Sequence, residues 1–180
     1  MELESWWKPS LLRQFAAAIA MIEKAIRDCP DEIWADSARP PEWHDRDIVG
    51  FWYVAYHTIF FLDLYSSESA TGFQPPPPFT ADEMSPEGLL PHQPYTKDEL
   101  LDYLGATRRK LADRVGQLTE QSVLLPCGFS WLKMNVAELQ LYNLRHVQHH
   151  AGQLYLVLRQ QAGAAPRWVS VAPIDGSLPE

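Results

Sequence analysis

Apolar positions along the chain gather into four stretches with helical spacing. In the first, Leu11, Leu12, Phe15, Ile19, Ile22 and Ile26 recur so as to share one helix face. This predicts a helix from Ser10, a capping residue, to about Arg27, with Pro30 as the stop. Trp6 and Trp7 precede it, placed to pack back as a lid, and a loop from Asp31 to His44 follows with Pro40-Pro41 in its middle. The second stretch, Asp45 to Tyr65, is β-branched and aromatic like a strand, but it is too long for an ordinary one, so length assigns a second helix. The third opens with a capping-box pattern, Thr96-Lys-Asp-Glu99. Leu100, Leu104, Leu111 and Leu118 form its stripe, Arg108, Arg109 and Lys110 are expected to face water, and it ends near Thr119. A short loop runs through Pro126, Cys127 and Gly128 to Trp131. The fourth, Asn135 to Gln161, is free of proline, begins with the box Asn135-Val-Ala-Glu138 and stops at Gly163.

Between the second and third helices lies Ser66 to Tyr95, with seven of the fifteen prolines, including Pro75 to Pro78. Four consecutive prolines favour polyproline II and exclude helix. A connection of this length is uncommon inside a compact domain and marks a crossover or a functional loop. Extended chain of that size can run back along a helix about 30 Å long, so the third helix can start at the end where the second started. The expected fold is all-α: a four-helix bundle with a long crossover between helices 2 and 3. One domain spans residues 1–180, with the bundle over about 10–161, the crossover at 66–95, and an extension at 164–180 that either packs or frays. No internal repeat, glycine-rich phosphate loop or nucleophile elbow interrupts this pattern.

Composition changes the picture mainly by exclusion. With 46% hydrophobic and 21% charged residues, the chain has an ordinary globular composition. Its net charge is 15 − 23 = −8 and no basic cluster occurs, which argues against nucleic acid as a partner. Cys29 and Cys127 form no metal or redox spacing, so a reducing cytoplasm is the expected compartment. Met1-Glu-Leu-Glu is acidic where a signal peptide is cationic. The apolar run Ile48 to Leu64 is slightly short for a membrane span and carries His57 and Asp63, both costly in lipid. A helix apolar on all sides reads instead as the buried member of a bundle.

The candidate chemistry lies in Asn143-Leu-Arg-His-Val-Gln-His-His-Ala-Gly-Gln-Leu154. His146 and His150 are one helical turn apart on one face and can share a metal ion. His57, the histidine in the other strongly apolar run, is the candidate third ligand. The competing reading is three core histidines, each hydrogen-bonded to a neighbour. Three neutral nitrogens suit zinc, nickel or iron, and leave one or more positions open, as a catalytic site requires. Spacing also allows a pair of His146 with His149, but His149 and His150 diverge by about 100° on a helix and cannot both reach one ion. His44 and His92 fall in loops and are expected to be solvated, although His92 could reach over the site from the crossover. Tyr53 and Tyr142, one turn before His57 and His146, are candidate pocket residues, with aromatic packing as the alternative. Asn143 and Gln153 are candidate partners of the histidine pair; Glu138 is assigned to the cap and Cys127 to a bystander role. Seven tryptophans suit core and lid packing, or the rim of an apolar pocket.

His57 followed by His146-Val-Gln-His-His150-Ala-Gly-Gln-Leu154 resembles the DinB-like superfamily, which includes YfiT-type proteins described as metal-dependent hydrolases. The resemblance covers roughly Ser10 to Gln161 and rests mainly on the H-x-x-x-H-x-G-Q run. It implies a four-helix bundle with a long crossover, and a metal held by one histidine of helix 2 and a pair from helix 4. The matching positions are His57, His146 and His150, which selects His150 over His149. The proline-rich crossover and the tail match nothing in the motif.

Two functions from different classes follow. The first is an enzyme in which the metal lowers the pKa of a bound water or thiol. Some DinB-like proteins are transferases or isomerases using a low-molecular-weight thiol, so the resemblance implies such a thiol and an electrophilic small molecule as partners. A hydrolase using water is the alternative chemistry; the helix-4 run lacks the H-E-x-x-H of zincin proteases. The second is a non-enzymatic metal- or ligand-binding module of a stress response. A homodimer is compatible with either, with no register given by the sequence.

Overall fold

The structure, a computed structural model, describes residues 5–35, 50–85, 91 and 93–175. His44, His92 and the Asp45 start of the second predicted helix lie outside the described residues. Among the described residues, five α-helices form the frame: α1 (Trp7–Asp28), a single turn α2 (Asp31–Trp34), α3 (Phe51–Tyr65), α4 (Lys97–Gln117) and α5 (Val136–Val157). Among the described residues there is no strand, only two isolated bridges, Ser69 with Gly128 and Pro126 with Asn135.

Local chemistry accounts for the starts of α4 and α5 and for the stop after α5. Thr96 accepts from the Glu99 amide while the Glu99 side chain accepts from the Thr96 amide, and Asn135 and Glu138 repeat the arrangement at α5. Each box satisfies amide donors that a helix start leaves open. The first helix departs from expectation. It begins at Trp7 rather than Ser10, and no side chain caps it. Trp7 is therefore a helical residue, half-buried against the core, whereas Trp6 is exposed. Past Val157 the last helix widens into a π-turn, Leu158–Ala162. It stops at Gly163, whose φ of 74° is the left-handed conformation that glycine adopts without strain.

The four long helices form a ring in which α1 and α3 each pack against both α4 and α5 and stand diagonally to one another. Polar contacts fix the directions. Lys8 donates to the Gly116 carbonyl (2.7 Å) and Lys97 to the Cys29 carbonyl (2.6 Å), so α1 and α4 are antiparallel. Trp52 meets Tyr95 before α4, and Arg114 at its far end donates to Glu68 just past α3, so α3 and α4 are parallel. His57 faces His150 and Tyr65 faces Tyr142, so α3 and α5 are antiparallel. Beyond Ser66 the chain travels back along α3: Phe73 packs on Phe60 and Phe79 on Tyr56. This segment includes a short 3₁₀ turn, Asp82–Met84.

The core follows the predicted stripes. Phe15, Ile19, Ile22 and Ile26 of α1, Leu100, Leu104 and Leu111 of α4, and nearly the whole circumference of α3 are buried. Apolar burial at about 25 cal/mol per Å² is what holds such a bundle together. Two of the three basic residues expected to face water instead direct their charged groups to buried carboxylates. Arg108 donates to Glu23 of α1 (2.7 Å), and Lys110 to Asp63 of α3 (2.5 Å), because those carboxylates are buried and need cationic partners. Arg109 is exposed. The described part of the tail packs: Val169 and Ala172 are buried, and the Ser170 carbonyl accepts from Gln14 of α1. Among the described residues no helix is long and apolar enough to cross a membrane.

Candidate metal centre

The antiparallel pairing of α3 and α5 sets His57 against a turn and a half of α5. Val147, Ala151 and Leu154 are buried, and this apolar anchoring fixes the rotation of α5. That rotation turns His146 and His150 toward α3 and leaves His149 exposed. The three ring nitrogens converge: His146 Nε2 lies 3.3 Å from His57 Nε2 and 3.1 Å from His150 Nε2. Nitrogens from all three lie within 4.8 Å of one another, and among the described residues no other His, Cys, Asp or Glu completes the group.

The outer nitrogens determine what the inner ones can do. His57 Nδ1 is 2.8 Å from Glu83 Oε2. An ionised carboxylate only accepts, so Nδ1 holds the proton and Nε2 turns a lone pair inward. His150 Nδ1 likewise donates to Gln153 Oε1 at 2.6 Å, which again leaves the Nε2 lone pair facing the cluster. His146 Nδ1 is buried with no hydrogen-bond partner among the described residues. Burial first, then the neighbouring His150, His57 and His149, push the His146 pKa down to about 2, so this ring is neutral at ordinary pH. With all three rings neutral, the three inward nitrogens share at most the one proton of His146. Hydrogen bonding cannot satisfy all of them at once, whereas a single Lewis acid can.

The donor set fits a transition-metal ion. A tetrahedral ion with bonds of about 2.05 Å spaces its donors by about 3.3 Å, close to the two separations above. The cluster is open on one side, with the His57 side chain 27% exposed. Phe61 borders it, its ring 4.8 Å from His57 and 5.6 Å from His146, and Tyr53 lies 6.2 Å from the His57 ring.

The other expected pocket residues divide. Gln153 touches the cluster through His150. Tyr142 turns away and packs edge-on against Tyr65, and Asn143 is buried with its amide 3.5 Å from the Leu62 carbonyl. Neither meets a histidine, because at that level α3 presents Tyr65 and its own backbone. Cys127 donates weakly to carbonyls of its own loop. Glu83 was not anticipated. It sits in the proline-rich segment, which has no periodicity to orient a side chain, and the signal available was indirect: a histidine in an apolar run needs a partner.

A family model described as the DinB superfamily matches residues 14–154, a span that holds all three histidines. The chain belongs to the DinB superfamily. Members of this superfamily often bind metal, and the all-α bundle is the fold the family implies. No curated protein matches the chain.

Proposed function

We propose that this DinB-superfamily chain is a divalent-transition-metal protein in which His57, His146 and His150 are the ligands, and that it uses the metal to activate a low-molecular-weight thiol for transfer to an electrophilic small molecule. The observation that carries the metal reading is the convergence of three Nε2 atoms, two of them with lone pairs directed inward by their Nδ1 partners. Bound there, a zinc, nickel or iron(II) ion supplies a Lewis acid with positions left for an outside ligand, and lowers the pKa of a thiol or water that occupies one.

The chain's own residues supply the setting. His57 and His150 are held in one tautomer, half-buried Phe61 gives the open side an aromatic border suited to an apolar electrophile, and burial of His146 keeps protons from competing for its nitrogen. Thiol transfer is preferred over hydrolysis because the carboxylate beside the cluster, Glu83, is buried and engaged by His57 Nδ1 rather than placed as a base for water.

Elemental analysis of untagged protein tests the ligand set. About one equivalent of metal is expected in the wild type and in His149→Ala, and little in His57→Ala or His150→Ala. Equal metal in His149→Ala and His150→Ala would remove the assignment. Absence of metal from the wild type, even after zinc, nickel or iron(II) is added, would make the three histidines core residues.

A further inference from the structure

We propose that Glu83, carried by the segment that returns along α3, is a positioning residue of the metal centre: it fixes the His57 tautomer and places a negative charge in contact with the cluster. The inference rests on the metal reading above and adds to it a residue outside the helical scaffold.

Three observations support it. The Glu83 side chain is 1% exposed, yet its Oε2 lies 2.8 Å from His57 Nδ1. A carboxylate that deep is costly unless held by a donor, and here the donor is the outer nitrogen of a cluster histidine. Second, the segment that carries Glu83 is anchored to the residue next to His57. Tyr56 donates its hydroxyl to the Thr80 carbonyl at 3.0 Å, and its ring stacks on Phe79. Phe79 stacks on its other side against Tyr103 of α4, with centroids 4.4 Å apart, and Thr80 donates to Asp82 on the 3₁₀ turn. Glu83 and His57 are thus tied to one rigid piece of α3. Third, the outer partners of the three histidines differ. Among the described residues, His150 has a neutral amide, His146 Nδ1 has no partner, and His57 has a carboxylate. Three imidazoles offer a divalent ion no negative charge, so this carboxylate offsets part of the ion's charge. It also raises the basicity of the nitrogen that faces inward.

The charge and the hydrogen bond can be separated. Glu83→Gln keeps an acceptor of nearly the same shape and loses the charge; Glu83→Ala loses both. On full-length protein, competition for zinc against a chromophoric chelator is expected to leave about one site in each variant. Affinity should fall about 10- to 100-fold in Glu83→Ala and by less in Glu83→Gln. Long-range imidazole ¹H–¹⁵N spectra of metal-free protein give a second readout. His57 should carry its proton on Nδ1 in the wild type and lose that preference in Glu83→Ala.

A purely structural Glu83 would lower thermal stability in both variants while leaving zinc affinity and the His57 tautomer as in the wild type. That result overturns the inference and leaves the metal site standing. A wild type that binds no zinc overturns the metal reading, and the charge role of Glu83 with it. A wild-type His57 protonated on Nε2 overturns the tautomer role independently of any metal. Should Glu83→Ala not fold, Glu83→Gln decides the charge role through zinc affinity alone.

Discussion

Helix α3 carries two polar groups, a buried Asp63 and a half-buried His57, that face different neighbours and behave in opposite ways. Toward α4, Asp63 accepts from the Tyr103 hydroxyl at 2.8 Å and from Lys110 Nζ at 2.5 Å. Donors match acceptors, and one negative charge meets one positive. Burial and the adjacent Asp63 push the Tyr103 hydroxyl pKa up, so it stays a proton donor. Toward α5, His57 meets two more nitrogen bases, and the cluster is short of protons. The first arrangement is complete and needs nothing from solution. The second would be completed by a cation. Their difference separates architecture from a candidate binding site: the first closes on itself in the interior, and the second opens toward solvent.

The comparison can be broken most forcefully with metal. Zinc at about 1,000 times its Kd should raise the unfolding free energy by about 4 kcal/mol, equally in the wild type and in Asp63→Ala, and not in His146→Ala. Urea titrations with and without zinc check this; an equal gain in His146→Ala would place the ion elsewhere. Next in size, Asp63→Ala should cost about 3 kcal/mol whether or not zinc is present, because it strands a buried hydroxyl and an ammonium. Lys110→Ala should cost less, since the outer part of that side chain reaches solvent and is 39% exposed. An Asp63→Ala protein as stable as the wild type would end the view of this cluster as architecture.

The smallest effect is in pH. His146 has a folded pKa of about 2 against 6.5 when unfolded. Below pH 6.5 the unfolded chain therefore binds the extra proton, and stability falls as pH falls toward the folded value. Metal-free wild type should lose up to about 1.4 kcal/mol per pH unit below 6.5 from this group, a slope absent from His146→Gln. Denaturant titrations at pH 7, 6 and 5 compare the two; parallel curves would mean that His146 does not stay neutral in the fold.

How much of this was legible in the sequence depends on how local the cause is. The caps at Thr96 and Asn135 were readable because a side chain there serves an amide three residues on. His146 and His150 were readable because helical periodicity alone brings them together, and His57 because a histidine stands out in an apolar helix. Arg108 and Lys110 were read as solvated because their partners, Glu23 and Asp63, lie on other helices. Tyr142 shares a helix side with His146, but a helical wheel cannot show that Tyr65 lies across from it. Glu83 is hardest for the same reason: its placement depends on how Phe79 and Thr80 dock on Tyr56, a tertiary event with no local pattern.

The separation of the three histidines along the chain bears on how the protein comes to be folded. Two of them arrive together on α5, but His57 and His146 are 89 positions apart. No fragment short of the α3–α5 pairing brings all three together, and that pairing carries the loop-closure entropy of a distant contact. An ion that needs three nitrogens would therefore bind late, after the α3–α5 contact has formed. A metal with a visible absorption band, such as cobalt(II), would serve in a stopped-flow refolding experiment as a clock for the final assembly of the bundle.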